Sequence, residues 1–222
     1  MTRLRVASYN TRDFLDDRAA AAAVVRALDP DVLCLQEVPR RLFATTRVAT
    51  FAAQCRLYWG GHHRGSGGTT ILTSLRTDVA ASAHHRLRVH WPDRTRGYAT
   101  VRLRLPDGRD LVVASVHLGL RPDERAEHAG SIVRALGRTE RAVVCGDLNE
   151  EAGPASDVLR RAGLGPVSPP EPTFPARSPR RRLDVVLATP DLAVLPHVAV
   201  DLPAADLVRA SDHRPVWVDL DV

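Results

Sequence analysis

The sequence contains no lysine: all 31 of its Lys/Arg positions are arginine. No Gly-Lys-Ser/Thr ending is present to close a phosphate loop, so the glycines of "RGSGGTTILTS" (64–74) read as turn formers. Cysteine is scarce. Cys34, Cys55 and Cys145 lack the CxxC spacing of zinc and redox-pair sites, and two of them sit inside apolar strands, which points to buried, reduced thiols. No apolar run reaches the roughly 20 residues that a bilayer span needs, since the alanines at 19–23 are soon ended by Arg26. The opening "MTRLRVASYN" enters a strand at once and leaves no room for a signal peptide, so a cytoplasmic location is expected. Neither a repeat of fixed period nor a linker nor an oligomerisation motif is visible. A single domain over residues 1–222 and a monomer are the default expectations.

What is present describes a soluble chain with a packed core, at 44% hydrophobic and 26% charged residues. The net charge of +5 rests entirely on arginine, whose guanidinium forks onto phosphate oxygens, and this suggests a phosphate-bearing partner. An Ala-rich chain with Arg in place of Lys is also what a high-GC genome produces, and that reading is preferred for most of these side chains.

Apolar runs and alternation predict strands at 4–8, 32–36, 69–73, 79–87, 100–105, 111–117, from 142, at 184–188, around 194–200, and at 216–222. Helices are expected at 18–28, 40–55, 122–136 and 155–162. The layout suits two packed sheets with helices outside.

Several of these strands end in, or lead into, a polar or ionisable residue. They deliver Asn10 in "VASYN", Glu37 in "VLCLQEV", His117 in "VVASVHLG", Asp147 and Asn149 in "VVCGDLN", and Asp212 with His213 in "ASDHRPVW". Asp184 in "RRRLDVVLA" stands at the start of its strand. Each alone has a plain reading as a cap, a turn former or a satisfied core group. Glu37 is the hardest to dismiss, because a carboxylate closing an apolar strand is costly unless neutralised. Together they suggest one cluster at the mouth of a sheet sandwich, where binding sites prefer to lie.

The ordered set Asn10, "LQE", "HL", "GDLN", "LD" and "SDHRPV" resembles the endonuclease/exonuclease/phosphatase superfamily, which includes DNase I, exonuclease III, sphingomyelinases and inositol polyphosphate 5-phosphatases. The likeness runs from about Leu4 to Val218. It implies a four-layer α/β sandwich, with two mixed sheets flanked by helices, and Mg²⁺- or Mn²⁺-dependent cleavage of phosphate esters by water attack on phosphorus. By the same resemblance, Glu37 is the principal metal ligand, with Asn10 beside it and Asp212 contributing. Asp147 orients or deprotonates the attacking water, Asn149 holds a phosphate oxygen, and Asp184 fixes the tautomer of His213. The general base stays open between Asp147 and His213, and His117 bonds the phosphate or assists the leaving group. Arg12 and His117 stand where exonuclease III-type enzymes carry an acid or amide and a tyrosine. This moves the resemblance toward DNase I, the sphingomyelinases and the 5-phosphatases, and Asp13 is left out of the metal site.

Weaker candidates surround this set. Arg96, Arg180, Arg181 and Arg182, with Arg177, are candidate substrate-phosphate contacts, a solvated basic loop being the alternative for the last four. His62 with His63 and His84 with His85 read as surface histidines rather than metal ligands, because adjacent strand residues face opposite ways. Trp59 and Trp91 read as core covers more than base-stacking rings. The leading expectation is a phosphodiesterase whose substrate is nucleic acid. The alternative is an enzyme for a small phosphorylated metabolite or lipid headgroup, and a silent binding module is disfavoured because all the family's ionisable positions are occupied.

Overall fold

The structure, a computed structural model, describes residues 3–61, 63, 65–137 and 141–222. Side-chain alternation decides what meets what. In β1 (Arg3–Asn10), Leu4 and Val6 face one way and Ala7 and Tyr9 the other. Leu4 and Val6 join Val32 and Cys34 of β2 (Val32–Gln36) in a core between two sheets. The opposing sheet supplies Ala99 and Val101 of β6 (Arg96–Arg104), Val113 of β7 (Asp110–His117), Val143 and Cys145 of β8 (Ala142–Asp147), and Val186 of β10 (Asp184–Ala188).

The remaining strands are β3 (Tyr58–Trp59), β4 (Thr70–Thr73), β5 (Asp78–Leu87), β9 (Gly165–Pro166), β11 (Ala193–Val194) and β12 (Val216–Asp221). One six-stranded sheet runs β11-β12-β1-β2-β4-β3 and the other β5-β6-β7-β8-β10-β9. Among the described residues only β1–β2 and β7–β8 are parallel, and each of these pairs is joined through a helix, α1 (Arg18–Leu28) and α3 (Pro122–Leu136). With α2 (Ala44–Cys55) and α5 (Ala204–Ala210), α1 covers the outer face of the first sheet, while α3 and α4 (Pro154–Arg161) cover the second. The expected four-layer sandwich is what forms.

Local chemistry explains these elements. Asp17 caps α1 by accepting from the amides of Ala19 and Ala20 at 2.9 and 3.0 Å, and Ala20–Ala22 then bury a close-packed face. On the outer face of the first sheet Arg5 and Asp219, opposite each other in the β1–β12 register, form a buried two-pronged pair at 2.7 Å for both contacts. Among the described residues no helix is long and apolar enough to cross a membrane.

Several expectations are corrected. Helix α2 begins at Ala44 rather than at 40, because Leu42 and Phe43 adopt positive φ and break the turn. The strand expected around 194–200 is only Ala193–Val194: Leu195 donates to Asp219 O at 2.8 Å, and Pro196 has no N–H with which to continue the ladder. Helix α5 and the two-residue strands β3 and β9 were not foreseen. His63 is buried, its Nε2 2.7 Å from Pro39 O, and is not a surface residue; His62 lies outside the described residues. Trp59 packs partly against the α1–α2 side of the core, but Trp91 is 91% exposed and covers nothing.

Candidate active site

The same alternation that builds the inner core continues into polar residues at one end of both sheets. Beyond Val6 come Ser8 and Asn10, beyond Cys34 comes Gln36, beyond Val113 come Ser115 and His117, and beyond Cys145 comes Asp147. Asp184 precedes Val186. Register aligns them, with Asn10 opposite Gln36 and Asp147 between His117 and Asp184. Gln36, Ser8 and Ser115 form a buried hydrogen-bonded layer that separates the apolar core from the mouth: Ser8 Oγ to Gln36 Oε1 is 3.2 Å, and Gln36 Nε2 to Ser115 Oγ is 3.1 Å.

At the mouth, Asn10 Nδ2 donates to Asp147 Oδ2 at 3.1 Å and approaches Glu37 Oε1 at 3.5 Å. His117 Nε2 lies 3.8 Å from Glu37 Oε1 and 3.6 Å from Asp147 Oδ2. His213 Nδ1 meets Asp184 Oδ2 at 2.8 Å, and its Nε2 lies 3.8 Å from Asp147 Oδ2. Thus Asn10, Glu37, His117, Asp147, Asp184 and His213, drawn from six chain segments, form one connected cluster. Glu37 sits just past β2 at φ 50°, a left-handed conformation that takes it out of the strand's alternation.

Gly146 permits the convergence. Its φ is 147°, and a Cβ there would lie 2.0 Å from Val116 O on the neighbouring strand. Only glycine lets β8 run this close to β7 one residue before Asp147. Beyond Asp147 the chain is not extended. Asn149 has φ 53°, its amide donates to Asp147 Oδ1 at 2.8 Å, and its Nδ2 donates to Leu118 O at 3.0 Å. One Nδ2 hydrogen is left for a further acceptor.

Burial raises the Asp147 carboxyl above its ordinary range, helped by the charge of Asp184 and opposed by His213 and the Asn149 and Asn10 hydrogen bonds. Burial disfavours charge on His213, but Asp184 outweighs it through charge and hydrogen bond, aided by Asp147 and Asp212, and lifts the imidazole to about 9. His117 is pushed well below the usual imidazole value by burial, then by Arg96, His213 and Arg40.

Other expected residues fall around this centre. Asp212 Oδ2 faces Arg12 Nε at 3.5 Å, and Asn10 Oδ1 accepts from Arg12 N at 3.1 Å, so Asn10 presents its nitrogen rather than its oxygen to Glu37 and Asp147. Arg96 is buried, donates from Nε to Leu118 O at 2.9 Å, and interacts with the charges of Glu37 and Asp147. Arg182 is held by Ser168 O at 2.8 Å, Arg181 faces Glu151 at 3.6 Å, and Arg177 and Arg180 are exposed on the same loop. Four participants escaped sequence reasoning. Thr173 Oγ1 donates to Asp184 Oδ2 at 2.6 Å, the Phe174 ring lies 4.8 Å from that of His213, the charge of Arg40 helps to lower His117, and Arg12 engages Asp212. No motif marks Thr173 or Phe174. Arg40, three places after Glu37, was within reach of a search for cations near the carboxylate.

The donor chemistry suits a hard divalent ion. Glu37 Oε1 and Asp147 Oδ2 approach the same amide and imidazole nitrogens, so two carboxylates are directed at a shared space where a cation would relieve their repulsion. One ligand atom each of Asp147, Asp184 and His213 also lie within 4.8 Å of one another, a second grouping able to hold an ion, although Asp184 and His213 already bond each other at 2.8 Å.

The sequence model of the Endonuclease/Exonuclease/phosphatase family matches residues 7–213. No curated protein matches the sequence. Among solved structures, an endonuclease/exonuclease/phosphatase from Beutenbergia cavernae DSM 12333 superimposes with a TM-score of 0.78 at 22% identity, covering 100% of this chain and 72% of that one. One from Bacteroides vulgatus gives 0.74 at 17% identity and 100% coverage of both chains. The human Nocturnin catalytic domain with bound sulfate anion gives 0.71 at 19% identity, over 99% of this chain and 94% of that one. These likenesses establish the shared fold.

Proposed function

The chain belongs to the endonuclease/exonuclease/phosphatase family, and on that premise we propose that it is a divalent-metal-dependent phosphodiester hydrolase acting on nucleic acid by water attack on phosphorus. The observation that carries this reading is the contact chain from Glu37 and Asn10 through His117 and Asp147 to His213 and Asp184, with no step longer than 3.8 Å. Phosphoryl transfer asks mainly for positioning and for neutralisation of charge on nonbridging oxygens. Mg²⁺ or Mn²⁺, held chiefly by Glu37 with Asp147 facing it, would supply charge neutralisation at those oxygens. Participation of Asn10 through its oxygen requires its amide to be reversed, whereas Asp212 would share its carboxylate with Arg12.

The chain's own groups account for the rest. Asp184 and Thr173 fix His213 so that Nε2 faces the site. The attacking water gives its proton to the Asp147–His213 pair as the new oxygen–phosphorus bond forms and the bond to the leaving oxygen breaks. His117 sits beside both carboxylates to bond a phosphate oxygen, and Arg96 and Asn149, both anchored on Leu118 O, flank the same space.

Hydrolysis of single-stranded and duplex DNA, RNA, bis-p-nitrophenyl phosphate and p-nitrophenyl phosphate, each in Mg²⁺, Mn²⁺ and EDTA, tests this. Metal-dependent cleavage of polynucleotide, slowed as salt rises, is expected. Activity confined to small esters would instead assign a phosphorylated metabolite or lipid headgroup, and no cleavage of any phosphodiester would overturn the proposal.

A further inference from the structure

The loop joining β5 to β6, residues 88–95, rises on the same rim as the catalytic side chains, because Gly97 at the start of β6 lies opposite His117. At its tip Trp91 leaves 91% of its surface in water. The ring stands on a fixed base. His90 is held on its leading side by Glu124, whose Oε1 accepts from the His90 amide at 2.5 Å and meets its Nδ1 at 2.7 Å. On the trailing side Asp93 donates its amide to His90 O at 2.8 Å and accepts from Arg121 Nε at 2.8 Å. Farther out, Arg88 O meets His128 Nε2 at 2.5 Å, and Thr95 O accepts from Arg40 Nη1 at 3.4 Å. Cations gather at the loop's return to β6: Arg94 belongs to the loop, Arg40 reaches it through Thr95 O, and Arg96 opens β6. Arg94 and Arg40 both act on buried Arg96, which interacts with Glu37 and Asp147.

Resting on the phosphodiesterase reading above, we propose that Trp91 is a stacking platform for a nucleobase of a polynucleotide substrate, with Arg40, Arg94 and Arg96 tracking the phosphates between that base and the cleaved bond. An exposed aromatic plate on an anchored backbone, beside arginines, is what single-strand binding uses, because every base offers a π-face. The loop reads "RVHWPDRT", in which Trp91 has only Val89 and Pro92 as apolar companions among five polar or charged residues, fewer than a lipid-inserting segment presents.

The test is equilibrium binding of a fluorescent ten-nucleotide DNA strand, and of an abasic strand of the same length, to wild type, Trp91→Ala and Trp91→Phe in EDTA, where no cleavage interferes. Trp91→Ala is expected to fold normally and to weaken binding of the base-bearing strand by about five-fold or more, from the known range for one stacked base. Trp91→Phe should stay within about two-fold of wild type, and the abasic strand should not distinguish the three proteins. Equal binding of the base-bearing strand by wild type and Trp91→Ala, or no binding by either, overturns the proposal. So does loss in Trp91→Ala of binding to anionic phosphatidylserine vesicles with strand binding intact, which would assign the ring to a lipid surface. Hydrolysis of bis-p-nitrophenyl phosphate, run in parallel, reports on the phosphodiesterase reading separately: its absence counts against the catalytic site whatever the strand does.

Discussion

Replacing Gly146 by alanine would place a methyl group 2.0 Å from Val116 O and 2.9 Å from Val116 C. A comfortable separation is about 3.5 Å, so β7 and β8 would have to part by more than an ångström. Neither strand has room to give. Val116 and Gly146 are paired in the parallel register at the centre of their sheet, and Val116 is fully buried against the α3 side of the core. To the overpacking cost of about 1–3 kcal/mol is added a backbone penalty of about 1–3 kcal/mol for holding an L-residue at φ 147°. A total of about 4 kcal/mol should lower the melting temperature by roughly 8–16 °C in a chain of this length. Thermal unfolding followed by circular dichroism measures this, with Gly165→Ala as the control, since a Cβ there meets nothing within 4 Å. Because Asp147 is the next residue, surviving Gly146→Ala protein should also lose phosphodiesterase activity well below its melting point. A variant within about 0.5 kcal/mol of wild type would refute the claim that glycine is required for this approach.

Further outcomes follow from the same contacts. Asp219→Ala leaves the buried Arg5 guanidinium without its carboxylate partner and should cost about 3–5 kcal/mol in denaturant unfolding, whereas a loss under about 1 kcal/mol would refute a major stabilising role for the pair. The Arg5 hydrogen bond holds the Asp219 carboxyl below its ordinary value of 3.8, so its stabilising effect is complete above that pH and fades as pH falls through the lower folded value. The gap between wild type and Asp219→Asn should therefore narrow from pH 6 to pH 3, and a gap independent of pH would contradict the assignment. Asp184→Asn should keep the fold but lower kcat by about 10³-fold or more, because the amide removes the charge that stabilises the His213 imidazolium and can hold the ring in the wrong tautomer. Thr173→Val, which removes the hydroxyl that supports Asp184 Oδ2 and accepts from the Leu183 and Asp184 amides, should lower it about ten-fold, and equal effects of the two would argue against that ranking.

Much of this site was legible because strand alternation carries the apolar core pattern straight into the catalytic residues: Val143, Cys145 and Asp147 share one face, as do Val113, Ser115 and His117. What alternation cannot show is where the chain leaves it. Glu37 and Asn149 reach the site from left-handed conformations, so alternation does not give the direction of either side chain. Tertiary contacts hid other features. His63 is buried by its approach to Pro39 O, α5 is a seven-residue helix that packs on α1's side of the sheet, and Thr173 reaches Asp184 across a loop whose sequence carries no signal. An isolated aromatic is usually core, but Trp91 sits on a loop anchored at His90 and Asp93 that leaves its ring in solvent, and those anchors are tertiary contacts with no mark in the sequence.

The most direct test of the catalytic assignment is the initial rate of phosphodiester hydrolysis in Mg²⁺ and in Mn²⁺ for wild type, Glu37→Gln and Asp147→Asn, with each protein's melting curve recorded beside it. Both variants are expected to melt as cooperatively as wild type while losing about 10³-fold or more in rate. A folded Asp147→Asn protein that cleaves at close to the wild-type rate would contradict the assignment.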